Sequence, residues 1–121
     1  MSKLFSENAP IYLQLMEIFK VSIVAGVFKK DDRLPPVREL AVQYGVNPNT
    51  VQRAYSELER EGIVESERTA GRYIRIDDEG IARLKKEISD SYIAKLFERM
   101  RKIGLSDQEI KSLVNDWKEE N

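Results

Sequence analysis

Two short segments, each with one apolar face, opened by a proline and closed by a glycine, most constrain the fold of this chain. The first follows Pro36 and stops at Gly45, and the second starts at Asn47-Pro48 and stops at Gly62. Proline fits the first turn of a helix, where its missing N–H is not needed, and glycine readily takes the left-handed conformation that ends a helix. The sequence therefore predicts two short helices joined by a tight turn, the helix-turn-helix arrangement.

The flanking segments complete a small domain. Asn8 as a capping residue and Pro10 as a first-turn residue predict an earlier helix from Pro10 to Ala25. After Gly62 the apolar period changes to two on both sides of a polar stretch, which predicts a β-hairpin, here called the wing. Residues 1–77 are therefore predicted to form a winged helix-turn-helix domain.

The remainder of the chain is predicted to be helical. Apolar residues recur at helical spacing from Asp78 to Ile103, and the spacing of Ser106 and Glu109 is that of a capping box before a last short helix. Residues 78–121 are predicted to be an α-helical dimerisation domain. The fold class is mainly α with a small β wing, an α+β chain.

Composition excludes several classes of function. The 121 residues include neither Cys nor His, so disulfides, thiolate metal sites and imidazole bases are absent, and we expect no catalytic residue, metal or cofactor. The longest apolar run, 21–28, is far shorter than the roughly 20 residues of a membrane span, and the amino terminus lacks a secretory signal. A cytoplasmic protein is expected. A net charge of −1 gives no indication of a partner.

Specific residues resemble a known family. The stretches LPPVRELA from residue 34 and GVNPNTVQRAY from residue 45, with PIYLQ from residue 10 and GRYI from residue 71, closely resemble the GntR family of winged-helix repressors. NPNTV, the RAY after it and the short tail resemble the YtrA-like branch. The resemblance implies a transcription regulator, a repressor, that binds an inverted-repeat operator in double-stranded DNA as a homodimer. One branch of the family adds an aminotransferase-like domain, which this chain is too short to contain, so an enzyme is not expected.

The resemblance and the outward positions of the second helix of the pair predict the DNA-binding residues. Asn and Gln side chains pair with adenine, and Arg pairs with guanine or phosphate. Two alternatives stay open. Arg38 pairs with Glu39 or Glu57, or the outward face of the second helix binds no DNA and Arg53 pairs with Glu57. The predicted contacts are Arg38, Asn47, Asn49, Thr50, Gln52, Arg53 and Ser56.

The wing supplies the remaining predicted DNA contacts, Arg68, Gly71 and Arg72, around a tip that includes Thr69 and Ala70. A cation there can enter the minor groove or neutralise phosphate, and the alternative is that both arginines only keep the hairpin soluble. The chain departs from the family at two positions: Pro36 stands where Ser is frequent, and Thr69 stands where Gly is frequent.

The tail carries the predicted dimer contacts. Two apolar edges run along the long helix, and one short helix cannot cover both, so a second copy is expected to bury Tyr92, Ile93, Leu96, Phe97 and Met100. The alternative is a monomer in which the tail folds back and buries its own apolar face. The alternative for function is a protein-interaction module that uses the tail without specific DNA binding. No small-molecule effector can be identified, because two helices leave little room for a cavity.

Overall fold

The computed structural model describes residues 5–68 and 71–119, and within them it has five helices and one hairpin. The order is α1 (Ile11–Val24), α2 (Val37–Tyr44), α3 (Pro48–Arg60), β1 (Val64–Glu67), β2 (Gly71–Ile74), α4 (Asp78–Lys102) and α5 (Asp107–Asp116). The strands pair antiparallel, with Val64 opposite Ile74 and Glu67 opposite Gly71. The predicted class, mainly α with a β wing, is confirmed. None of the described helices is long and apolar enough to cross a membrane.

Local signals set the turn between α2 and α3. Gly45 ends α2 in the left-handed conformation, with φ of 67°. Asn47 caps α3 because its side-chain oxygen accepts a hydrogen bond from the backbone N–H of Asn49 at 2.7 Å, and Pro48 occupies the first turn. Both helix ends lie where the sequence predicts them.

The start of α1 differs from the prediction. The N-cap residue is Pro10, and no side chain caps the helix, so the role predicted for Asn8 is wrong. The amide of Gln14 instead donates to the carbonyl oxygens of Ser6 and Ala9, and its oxygen accepts from the backbone N–H of Ser6. A glutamine one turn inside the helix therefore fixes the incoming chain.

The main core lies between α1, α2, α3 and the hairpin. Tyr55 is its largest fully buried side chain, packed edge-on against Phe19, and its hydroxyl donates to the carbonyl oxygen of Pro35 at 2.7 Å. Burial raises the pKa of the Tyr55 phenol well above its usual range. The other buried apolar residues before residue 86 are Leu15, Met16, Ile23, Leu34, Leu40, Ala41, Val51, Ala54, Leu58, Ile63, Val64, Ile74 and Leu84, and Ile110 is buried on α5.

The connector before α2 pairs with the edge of the wing. The N–H of Leu34 donates to the carbonyl oxygen of Arg72 at 2.8 Å, and Asp31 and Asp32 exchange hydrogen bonds with Ile74. Arg33 lies opposite Tyr73 in an isolated antiparallel bridge. The connector thus adds one bridged residue to the edge of the two-stranded sheet.

The chain divides into two compact units between Lys85 and Lys86. In the second unit α4 and α5 meet at a turn that the guanidinium of Arg101 closes, donating to both carboxylate oxygens of Asp107 at 2.7 and 2.9 Å. The predicted capping box is present: Ser106 and Glu109 each accept a hydrogen bond from the other's backbone N–H. The turn is therefore tightly specified by neighbouring residues.

Candidate nucleic-acid interface

The outward face of α3 is polar from its first turn. Val51, Ala54, Tyr55 and Leu58 point into the core, so the positions between them point outward. Asn47 caps the helix with its side chain and is exposed. Thr50 is half-buried at the boundary. The exposed side chains on the helix include Asn49, Gln52, Arg53 and Ser56.

Arg53 is held by a residue of another helix. Its guanidinium carbon lies 3.9 Å from the ring centroid of Tyr12 in α1, and its Nη2 donates to the Tyr12 hydroxyl at 3.2 Å. The carboxylate of Glu57 is instead hydrogen-bonded to Arg60, which lowers the pKa of Glu57. The alternative pairing of Arg53 with Glu57 is thus replaced by a contact with an aromatic ring, and Tyr12 is a residue of this surface that the sequence did not single out.

Arg38 is exposed in the first turn of α2, two residues after the N-cap residue Pro36. Among residues 5–68 and 71–119 no carboxylate lies within ion-pair distance of its guanidinium. The alternative pairings with Glu39 and Glu57 are not formed. Arg38 therefore presents its donors to solvent beside the N-terminal end of a helix.

The two arginines predicted at the wing have different environments. Arg68 is exposed at the end of β1. The Arg72 side chain is only 20% exposed, with its guanidinium 5.4 Å from the ring centroid of Tyr55 and its Nε 3.6 Å from Glu59. Thr69 and Ala70, and with them the departure from the family at Thr69, lie outside the described residues. Arg72 faces the core side of the hairpin, whereas Arg68 faces outward.

Two other cations lie near the wing. Arg75 donates to Glu65 at 3.2 Å, to Glu67 at 2.9 Å and to Asp31 at 2.8 Å, and the bond to Glu67 in particular raises the Arg75 pKa. Arg33 is exposed and lies over Gly71. The predicted site residues omit Arg33, whose approach to the hairpin depends on the edge pairing described above.

The second unit has an exposed apolar face on α4. Tyr92, Ile93 and Leu96 are 49%, 53% and 40% exposed, and Phe97 and Met100 are half-buried. Leu96 and Met100 line a shallow groove of about 540 Å³ together with Tyr92, Lys95, Arg99 and Ile103. Large apolar side chains are costly to leave in water, so this face is a candidate contact surface.

No group of three or more Asp or Glu side chains in the described part of the chain is arranged to hold a metal ion. Arg38 on α2, Arg53 on α3 and Arg68 on the wing are exposed cations, and α3 adds exposed amide and hydroxyl groups. Such groups recognise base edges and phosphate oxygens by hydrogen bonding.

Comparison with known proteins shows which family has this sequence. Residues 11–74 match the family described as bacterial regulatory proteins, gntR family. An uncharacterised HTH-type transcriptional regulator of Bacillus subtilis, YhcF, is 38% identical over 91% of this chain and 91% of its own length. The HTH-type transcriptional repressor YtrA of the same organism is 51% identical over 55% of this chain and 52% of its own length.

Solved structures have the same fold. A GntR family transcriptional regulator from Listeria monocytogenes superposes with a TM-score of 0.81 at 34% identity, covering 94% of this chain and all of its own. The AraR DNA-binding domain in complex with operator ORX1 gives a TM-score of 0.54 at 28% identity, covering 61% of this chain and 90% of that domain.

Proposed function

Because this chain belongs to the gntR family of bacterial regulatory proteins, as its sequence predicts, we propose that it represses transcription by binding operator DNA as a homodimer. It is a DNA-binding transcription regulator with similarity to YtrA. The name of YtrA as a repressor supports repression here. Action on chromosomal DNA places the protein in the cytoplasm.

The observation that most supports DNA as the partner is the exposed, polar start of α3. A helix that enters the major groove reads bases with the side chains of its first turns. Asn49 and Gln52 have amides suited to adenine, and Arg53 has the paired donors that guanine binds. The operator complex of the similar AraR domain supports this use of the fold.

The remaining contacts position the protein on the backbone. Arg38, beside the N-terminal end of α2, is suited to phosphate, as are the exposed cap Asn47 and the hydroxyls of Thr50 and Ser56. Arg68 reaches the minor groove from the wing, whose second strand begins at Gly71. Arg72 contributes less directly than Arg68, since its guanidinium lies against Tyr55.

The tail supplies the dimer. Residues 1–77 bind DNA and residues 78–121 dimerise, with the exposed face of Tyr92, Ile93 and Leu96 buried against a second copy. A closed twofold is the commonest arrangement of soluble oligomers, and it presents two copies of α3 to two inverted half-sites. The operator is therefore an inverted repeat with half-sites about one DNA turn, or a multiple of it, apart.

The test is selection of genomic fragments by the purified protein, followed by sequencing of what it retains. We expect enrichment of one inverted repeat. The triple variant Asn49→Ala/Gln52→Ala/Arg53→Ala should keep the parent's thermal midpoint and lose the enrichment. If the parent enriches no sequence and fails to retard any duplex at low salt, the proposal is wrong, because even non-specific DNA affinity is strong there. A protein-interaction role of the tail would then remain.

A further inference from the structure

The cations around the wing differ in whether a carboxylate already binds them. Arg75 is bound by three carboxylates, and Arg72 lies against Tyr55 with Glu59 beside it. Arg33 is exposed, and among residues 5–68 and 71–119 no carboxylate lies within ion-pair distance of it. Its guanidinium is therefore available to an anion from outside the chain.

Gly71 provides the space in which the Arg33 guanidinium lies. A Cβ built on Gly71 would stand 2.9 Å from Arg33 Nε and 3.1 Å from Nη2, closer than such atoms normally approach. Gly71 also has φ of +95°, a conformation that other residues rarely adopt. Since Gly71 pairs with Glu67 at the end of the ladder next to the hairpin turn, the guanidinium lies toward the tip of the wing.

The backbone that carries Arg33 is fixed. Arg33 bridges to Tyr73, and the next residue, Leu34, is 2% exposed and donates its N–H to the carbonyl oxygen of Arg72. An arginine side chain therefore extends from an anchored position, so that ordering it on a ligand costs only side-chain freedom.

The acidic residues on the hairpin do not compete for Arg33. Glu65 and Glu67 each accept a hydrogen bond from Arg75. Their negative charge is thereby partly neutralised on the same hairpin that must approach DNA, which lowers the repulsion of a phosphate.

We infer that Arg33 is a phosphate-binding residue of the wing, and that the missing side chain of Gly71 keeps open the space for its guanidinium. The inference rests on the proposed function, since the ligand is the DNA backbone. A guanidinium has five donors in a planar fork that matches two phosphate oxygens, and such contacts are charge-assisted. The connector before α2 thus contributes a cation to a wing whose own Arg72 and Arg75 already lie beside carboxylates.

The test uses the full chain and two duplexes, one enriched by the parent and one unrelated, titrated by fluorescence anisotropy over a salt series. Arg33→Ala should weaken binding to both duplexes about tenfold at low salt and reduce the salt slope by about one. Arg33→Lys should keep most of the slope. The control Arg83→Ala removes an exposed cation from α4, where it neighbours Glu79, and should match the parent.

A second measurement tests the role of Gly71. Gly71→Ala should weaken binding in the parent but add much less loss in the Arg33→Ala background, whereas simple strain of the hairpin would cost the same in both. Three outcomes would each overturn the inference. The Arg33→Ala variant could keep the affinity and salt slope of the parent, or it could lose affinity for the enriched duplex alone. Gly71→Ala could also cause equal losses of affinity in the two backgrounds. If the parent itself bound neither duplex, the proposed function would fail instead, so the two failures are distinguishable.

Discussion

The ring of Tyr12 and the guanidinium of Arg53, 41 residues apart in the chain, lie in contact on the surface of the first unit. The guanidinium carbon is 3.9 Å from the ring centroid, and Nη2 donates to the phenol oxygen at 3.2 Å. A cation over an exposed aromatic ring gains about 0.5–1 kcal/mol. This contact restricts a long side chain that would otherwise sample many rotamers, so Arg53 is partly ordered before any ligand arrives.

Removing the ring should therefore weaken DNA binding through Arg53. We expect Tyr12→Ala to lower affinity for the selected operator about fivefold and to reduce discrimination at the base pair that Arg53 reads, since about 1 kcal/mol of ordering is lost. Tyr12→Phe keeps the ring and loses only the hydrogen bond, so its effect should be smaller. Anisotropy titrations against the operator and its single-base variants measure both quantities.

The Arg53→Ala background is the control for Tyr12. If Tyr12 acts through Arg53, Tyr12→Ala in that background should cause no further loss, and the double-mutant cycle should show coupling of the two residues. Equal losses in both backgrounds would mean that Tyr12 contacts DNA by itself.

Arg38→Ala and Arg53→Ala should affect DNA binding in different ways. Both residues are exposed, so each variant should change the free energy of unfolding by less than about 0.5 kcal/mol. Loss of Arg53 should relax sequence preference, whereas loss of Arg38 should weaken all sequences alike and reduce the salt slope by about one. Thermal melts and salt-series titrations measure this. Parent affinity in both variants would exclude the surface of α2 and α3 as the DNA site.

Features with local causes could be predicted from the sequence. Gly45 sets the end of α2, and Asn47 sets the start of α3. The capping box of Ser106 and Glu109 sets the start of α5. Each of these signals acts between residues at most four positions apart, so it can be recognised in the sequence alone.

Features set by distant residues could not be predicted in this way. The direction of Arg72 depends on Tyr55 and Glu59, which belong to another helix. Arg33 approaches Gly71 only because the connector pairs with β2. The sequence identified the outward face of α3 through its helical period, but it did not identify the aromatic partner of Arg53, because nothing in a single segment encodes a contact between α1 and α3.

Tyr55 should make stability depend on alkaline pH. Its buried phenol has a pKa raised above the ordinary value of 10.0, so the unfolded chain releases this proton at a lower pH than the folded chain. The contribution of Tyr55 is complete below about pH 10 and is lost as pH rises above that value. Tyr55→Phe removes this dependence but also loses the bond to the Pro35 carbonyl, at a cost near neutral pH of about 1 kcal/mol.

Urea unfolding at several pH values measures the effect of Tyr55. The difference in unfolding free energy between the parent and Tyr55→Phe should be constant below about pH 10 and should shrink above it. A difference that stays constant across the alkaline range would show that the phenol ionises equally in the folded and unfolded chain.

We expect the exposed apolar face of α4 to hold the dimer together. Leu96 is 40% exposed beside Ile93 and Tyr92, and if a second copy covers it, Leu96→Asp buries an unpaired carboxylate. Burial of such a charge costs several kcal/mol, so we expect the dimer dissociation constant to rise at least about 100-fold. Phe97→Asp should act in the same direction, since Phe97 lies half-buried on the neighbouring edge.

Ser91→Asp is the matched control for Leu96→Asp, because Ser91 is exposed and lies about 140° around the helix from Leu96. It adds the same charge to α4 and should leave the dimer intact. Light scattering at micromolar concentration measures the mass, and titration of a half-site and a full inverted repeat measures the consequence for DNA. The parent should bind the full repeat far more tightly than the half-site, and Leu96→Asp should reduce that difference while its first unit stays folded. A parent with the mass of one chain at these concentrations would contradict the dimer, and with it the reason to expect an inverted repeat.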